Sequence, residues 1–147
     1  MKITGREIAM VAATASITFA AGAGAQTPPK MGSGIFDWDQ LTVEPTEMGA
    51  RREVLRGPTV TVDELRMHVT TLKPGAAPHP PHQHLHEELV IVKEGNIEVM
   101  IGQDWKPIGP GSVVFFASNT LHGMRNTSDK PASYHVLIWR TPATPKE

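Results

Sequence analysis

The stretch His79-Pro80-Pro81-His82-Gln83-His84-Leu85-His86-Glu87-Glu88-Leu89-Val90-Ile91-Val92-Lys93-Glu94-Gly95 decides how the chain reads. It carries four of the seven histidines, two adjacent glutamates and an apolar run that ends at a glycine. Neutral imidazoles and a carboxylate gathered on one side of a backbone suit a divalent transition metal. An extended segment puts residues i, i+2 and i+4 on one face. His82, His84 and Glu88 share that parity, whereas Glu87 does not and is expected to face away. A fourth ligand has to come from elsewhere, and His122 is the candidate. The rest of the chain is then the scaffold that returns His122 to this segment.

Working outward, the chain alternates short β-prone runs with Gly, Pro and Asn turns. Strands are expected over 51–56, 65–72, the histidine-bearing segment up to Glu94, 97–101, 105–108, 112–116, 121–126 and 132–140. Ser112 to Phe116 is wholly apolar at its core and is expected to be buried on both faces, with Phe115, Phe116 and Trp139 in the core. No long run has helical spacing and no internal repeat is present, so the fold class is all-β, an antiparallel sandwich or barrel.

Ahead of the strands, residues 1–25 read as a signal peptide: Lys2 and Arg6 precede an apolar run, and Ala23-Gly24-Ala25 fits the small-x-small cleavage rule. The mature chain is therefore expected to be periplasmic or secreted, with no membrane attachment after cleavage. Residues 26–50 read as an N-terminal arm carrying Phe36, Trp38 and Leu41, either laid on a sheet or reaching a second subunit. Residues 51–141 form the domain and 142–147 a tail. With no cysteine, disulfides and thiolate chemistry are excluded. A net charge of −1 with no basic block argues against nucleic acid as a partner.

Pro81-His82-Gln83-His84, three residues, Glu88, six residues and Gly95 resemble the first motif of the cupin superfamily. Gly111 to Asn126 resembles its second, with Ala117 at the Pro position, Asn119 at the Gly position, His122 at the metal histidine and Asn126 at the final Asn. Asn tolerates left-handed backbone, so Asn119 is a mild departure. Gly75 lies one residue further from His82 than the family spacing. The resemblance covers roughly residues 75–126, and strands 51–72 and 132–140 complete the antiparallel double-stranded β-helix, or jelly-roll cupin barrel, that it implies. It implies one divalent transition metal (Mn, Fe, Ni, Zn, Co or Cu) held by His82, His84, Glu88 and His122.

Such a site has open coordination positions for water, dioxygen or a substrate oxygen pair. The expected function is a metalloenzyme acting on a small organic molecule, either a dioxygenase or a non-redox isomerase, lyase or hydrolase. The alternative is a non-catalytic extracytoplasmic module that binds a small ligand or the metal. A homodimer is expected from the resemblance and the aromatic arm. No catalytic residue is assigned from sequence. His86 lies between the ligand positions at their parity and His79 beyond two prolines, and neither is taken as a ligand; His68 and His135 lie on neighbouring strands as ordinary or pocket-lining residues. Arg125, of opposite parity to His122, is expected to face outward.

Overall fold

The computed structural model describes residues 28–146, so the leader expected over 1–25 lies outside the described residues. Within them the chain forms nine strands and one short 3-10 turn. One sheet has the order β1 (Val43–Thr46), β2 (Gly49–Gly57), β3 (Glu64–Leu72), β9 (Ala132–Arg140), β4 (Glu87–Glu94) and β7 (Val113–Phe116). The other has the order β6 (Asp104–Ile108), β5 (Ile97–Ile101) and β8 (His122–Arg125). Every pairing is antiparallel. The fold is the all-β jelly-roll barrel expected from the sequence.

Alternation builds the interior. Along β4, Glu88, Val90 and Val92 are buried; along β9, Tyr134 and Val136 are; along β7, Val114 and Phe116 are. The apolar ones among them meet Leu72, Ile97, Val99 and Met124 in one core. Burying each of these side chains stabilises by about 1.5–3 kcal/mol. The turn before β5 depends on Gly95 (φ 74°), because a Cβ there would lie 2.6 Å from the Pro131 carbonyl oxygen.

Three findings differ from the sequence reading. Residues 43–46, placed in the arm, pair with β2 as an edge strand, where Pro45 forfeits no inner ladder bond. Strand β7 is not buried on both faces. It is the edge of its sheet, and Val113 and Phe115 are 60% and 49% exposed. Phe115 is therefore not core; it stacks on Trp139 across the outer face, with ring centroids 6.3 Å apart. A wholly apolar run carries no period to show which face is covered. Finally, β4 starts only at Glu87, so His82 and His84 precede the strand. In the arm, Trp38 packs between the Arg52 guanidinium (4.3 Å) and the Lys93 ammonium (3.6 Å), on strands β2 and β4.

Candidate metal centre

Pro80 and Pro81 lack N–H donors, so the segment leading to β4 cannot ladder regularly. His82 makes a single bridge instead. Its N–H donates to the His122 carbonyl and its carbonyl accepts from the His122 N–H, both at 2.9 Å. Pro81 can approach β8 because Gly123 is opposite; a Cβ at 123 would lie 3.2 Å from the Pro81 ring. The next turn is held from the other side. The Asn119 N–H donates to the His84 carbonyl at 2.7 Å, and the Ser118 hydroxyl to the Leu85 carbonyl at 2.7 Å. Asn119 is the one non-glycine at positive φ (60°) among the described residues, which is the left-handed turn expected there. Buried Asn126 closes the loop that follows. Its side-chain amide donates to the carbonyls of Lys73 (3.1 Å) and Lys130 (2.8 Å), and its carbonyl accepts from Ser128.

The result brings His82, His84 and His122 together, with one ring nitrogen of each within 4.8 Å of the others. The His84 Nδ1 sits 2.8 Å from the His86 carbonyl, and the His122 Nδ1 2.7 Å from the Thr120 carbonyl. A carbonyl only accepts, so each Nδ1 carries the proton and each Nε2 keeps a lone pair. Both Nε2 atoms, and Nδ1 of His82, are buried without a hydrogen-bond partner. Three such nitrogens in one cluster form a donor set that could hold a metal ion. The ring of His122 rests on Phe116 (centroids 4.1 Å), which fixes it from below.

Glu88 enters the cluster through His84. Its Oε2 lies 3.4 Å from the His84 Nε2, near but not aligned as a hydrogen bond. Glu88 groups with His84 and His86 in a second set that shares His84 with the first. His86 stacks on His84 with ring centroids 3.6 Å apart, and its Nδ1 is 3.3 Å from the Arg140 guanidinium. His79 lies edge-on to His82, with centroids 4.1 Å apart. Glu87 faces away and accepts from the Trp139 indole at 3.0 Å. Arg125 turns to Glu98 (2.6 Å) and covers Trp105. His135 is half-buried near Lys93 and does not line the cavity.

Burial sets the protonation here. It pulls His82 down to about 4, helped by His79, His122 and His84. It lowers His122 also, against the bond to Thr120. Neutral imidazoles are the ligand form. Burial raises Glu88, and the neighbouring His84 opposes the rise.

A cavity of about 220 Å³ opens over the cluster, walled by His68, Thr70, Tyr134, Val136 and Ile138. Burial pushes the Tyr134 phenol up, against a hydrogen bond with Thr70 and with the Glu88 charge adding to the rise, so Tyr134 stays protonated. Sequence reasoning missed Tyr134. The available signal was its shared parity with Val136 and Ile138 on the strand that pairs with β4. A larger hollow of about 390 Å³ lies outside the barrel between β5, β6 and β7, lined by Val99, Ile101, Val113 and Phe115. Its only ionisable walls are Asp104 and Lys106, so it offers no comparable chemistry.

The model of the Cupin domain family matches residues 68–139. Among solved structures, the chain is similar to KdgF from a Halomonas species (21% identity, 76% of this chain and 97% of that one, TM-score 0.62). It is similar to an RmlC-like cupin from Shewanella frigidimarina (19% identity, 76% and 95%, TM-score 0.61). It is also similar to a sugar phosphate isomerase of the cupin superfamily from Silicibacter pomeroyi (26% identity, 74% and 77%, TM-score 0.58). No curated protein matches.

Proposed function

Since the chain belongs to the cupin superfamily, we propose that it is a small-molecule metalloenzyme with a divalent transition metal held by His82, His84, His122 and Glu88. The observation that carries this is the trio of buried, unpartnered imidazole nitrogens, two with their opposite nitrogens anchored on backbone carbonyls. Anchoring of that kind orients a ligand histidine and raises its basicity. When bound, the metal supplies Lewis acidity toward a substrate oxygen or a redox centre. The chain's own residues do the rest. His84 and His122 present fixed lone pairs. Glu88, as a carboxylate beside His84, balances the charge of the ion. Tyr134 keeps its phenolic proton for donation inside the cavity. At about 220 Å³ the cavity is below the size of drug-like sites, which favours a small substrate.

The likeness to a sugar phosphate isomerase favours non-redox chemistry over oxygenation, since that neighbour shares 26% of residues over most of its length. Elemental analysis of the purified protein tests the reading. One equivalent of a divalent metal, lost in both His84→Ala and His122→Ala, is expected. Unchanged metal content in both variants would refute the ligand set. Oxygen consumption during turnover would replace the non-redox reading with the dioxygenase one. The same proposal places the mature chain in the periplasm or outside the cell as a homodimer. N-terminal sequencing and sedimentation check those two points.

A further inference from the structure

Strands β2 and β3 carry a second polar group on the barrel's inner wall. Arg51 stands opposite Thr70, and Glu53 opposite His68. His68 and Thr70 in turn stand opposite Val136 and Tyr134, both buried, and Arg66 opposite Ile138. Directly opposed residues share a face, so Arg51, Glu53, Arg66 and His68 belong to the inner wall. Glu53 accepts from both guanidiniums: Nε of Arg66 at 3.2 Å, and Nη2 of Arg51. Two cations on one carboxylate leave the group one positive charge in excess.

Two buried atoms of this group have no hydrogen-bond partner, Nε of Arg51 and Nδ1 of His68. Burial and then the charges of Arg51 and Arg66 press His68 down to about 3, which reports the positive field at its ring. A hollow of about 360 Å³ is lined by Arg51, His68, Thr70 and Pro78. The last three also line the cavity over the histidine cluster, so the two spaces adjoin. The other charged residue at the hollow, Glu47, is exposed at its rim.

We propose that Arg51, with His68, forms the anion subsite for the ligand of the metal centre: the chain takes a short organic acid whose oxygen-bearing end lies at His82, His84 and His122 and whose carboxylate lies against Arg51. This rests on the metal reading above and adds the substrate class to it. A carboxylate matches the single excess charge, and its planar oxygen pair fits a guanidinium fork. A phosphate dianion would overshoot the charge. Three strand spacings separate β2 from Glu88 on β4, beside the histidines, about 14 Å between backbones. Long side chains reach in from both sides, which leaves the span of a short-chain acid.

Calorimetric titration of the full chain, loaded with Mn²⁺ and also stripped of metal, decides it. The probes are succinate, glutarate, their neutral diamides and inorganic phosphate. A dicarboxylate is expected to bind at least about tenfold more tightly than its diamide. In the metal-stripped chain Arg51→Met is expected to abolish that margin, while the metal content of the loaded variant by elemental analysis stays unchanged. Glu53→Gln removes the competing carboxylate and is expected to widen the margin several-fold. An absent margin in the loaded wild type, a margin that survives in Arg51→Met, or phosphate outcompeting both acids overturns the proposal. Should Arg51→Met fail to fold, Glu53→Gln decides, and an unwidened margin there is equally fatal. The stripped protein separates the two readings. A dicarboxylate preference that persists in a chain unable to take up metal keeps the subsite and refutes the metal centre.

Discussion

Glu88 and Val92 stand on the same inner face of β4, two pleats apart, and inhabit different physical regimes. Around Val92 the barrel is closed by Val90, Val114, Phe116, Ile97 and Tyr134, all held by loss of apolar surface from water. Around Glu88, whose strand partners are Phe116 and Ile138, the apolar cover gives way to imidazoles. Histidines on an irregular loop are fixed by hydrogen bonds to that loop's backbone from the Asn119 and His122 N–H groups and the Ser118 hydroxyl, and several of their nitrogens are left unpaired. One end of the barrel is built to be stable, and the other is built on top of it to bind. Function-bearing residues commonly sit on loops positioned by a rigid scaffold, and here the join is one strand.

The comparison breaks most visibly where the two ends touch. Phe116 is fully buried in the apolar end and carries the ring of His122. Phe116→Ala is expected to cost about 3–5 kcal/mol in urea unfolding, from lost burial plus a cavity. It should also weaken metal uptake by freeing the His122 ring. A variant with full stability would show that the closed end does not rest on its aromatic. Asn126 comes next. It touches no ligand nitrogen, yet its amide ties Lys73, Lys130 and Ser128 into the loops beside the site. Asn126→Ala removes the buried amide and the acceptor of the Ser128 N–H, and is expected to cost about 2–3 kcal/mol. Loss of metal without loss of stability would contradict this structural role.

A smaller, graded effect comes from acid. Burial holds the folded pKa of His68 at about 3 and of His82 and His86 at about 4, against an ordinary 6.5. Below pH 6.5 the unfolded chain takes up protons that the folded chain refuses. Their contribution is therefore intact above 6.5 and lost as pH falls toward 4, or toward 3 for His68. Glu88, raised by burial, works in the opposite sense, because the folded carboxyl gains its proton first. His122 and His135 are lowered too, so the metal-free protein should lose stability on acidification with a slope below five protons. His68→Gln should flatten that slope by about one proton. An unchanged slope in His68→Gln would mean that this ring is not buried as described.

The strand pattern was legible because alternation survives wherever one face is covered: β3, β5 and β9 fall within a residue of their expected limits. The site residues were legible as types and spacings, since few arrangements place three histidines and a glutamate so. What parity could not show is where a strand stops. His82, His84 and Glu88 share parity, but only Glu88 is on β4. A bulge between Glu53 and Leu55 hid the basic wall in the same way. Glu53 pairs with inward His68 and Leu55 with Met67 on the other face, although both are odd-numbered. On β7 the limit was different: nothing in Val113 to Phe116 says that one face is uncovered.

The smallest expected effect is the sharpest test of the division between the two ends. His84 is held by one bond to the His86 carbonyl, it stacks on His86, and its Nε2 has no hydrogen-bond partner. Removing it deletes that bond but also relieves an unpaired buried nitrogen, and the two changes oppose each other. His84→Ala in metal-free protein is therefore expected to move unfolding stability by less than about 1 kcal/mol. Metal separates the variants. At a hundred times its dissociation constant, a bound ion stabilises the wild type by about 2.7 kcal/mol, and His84→Ala should show none of that gain. If the metal-free variant instead loses several kcal/mol, the histidine loop is part of what closes the barrel. The unpaired nitrogens would then no longer mark a place kept open for a ligand.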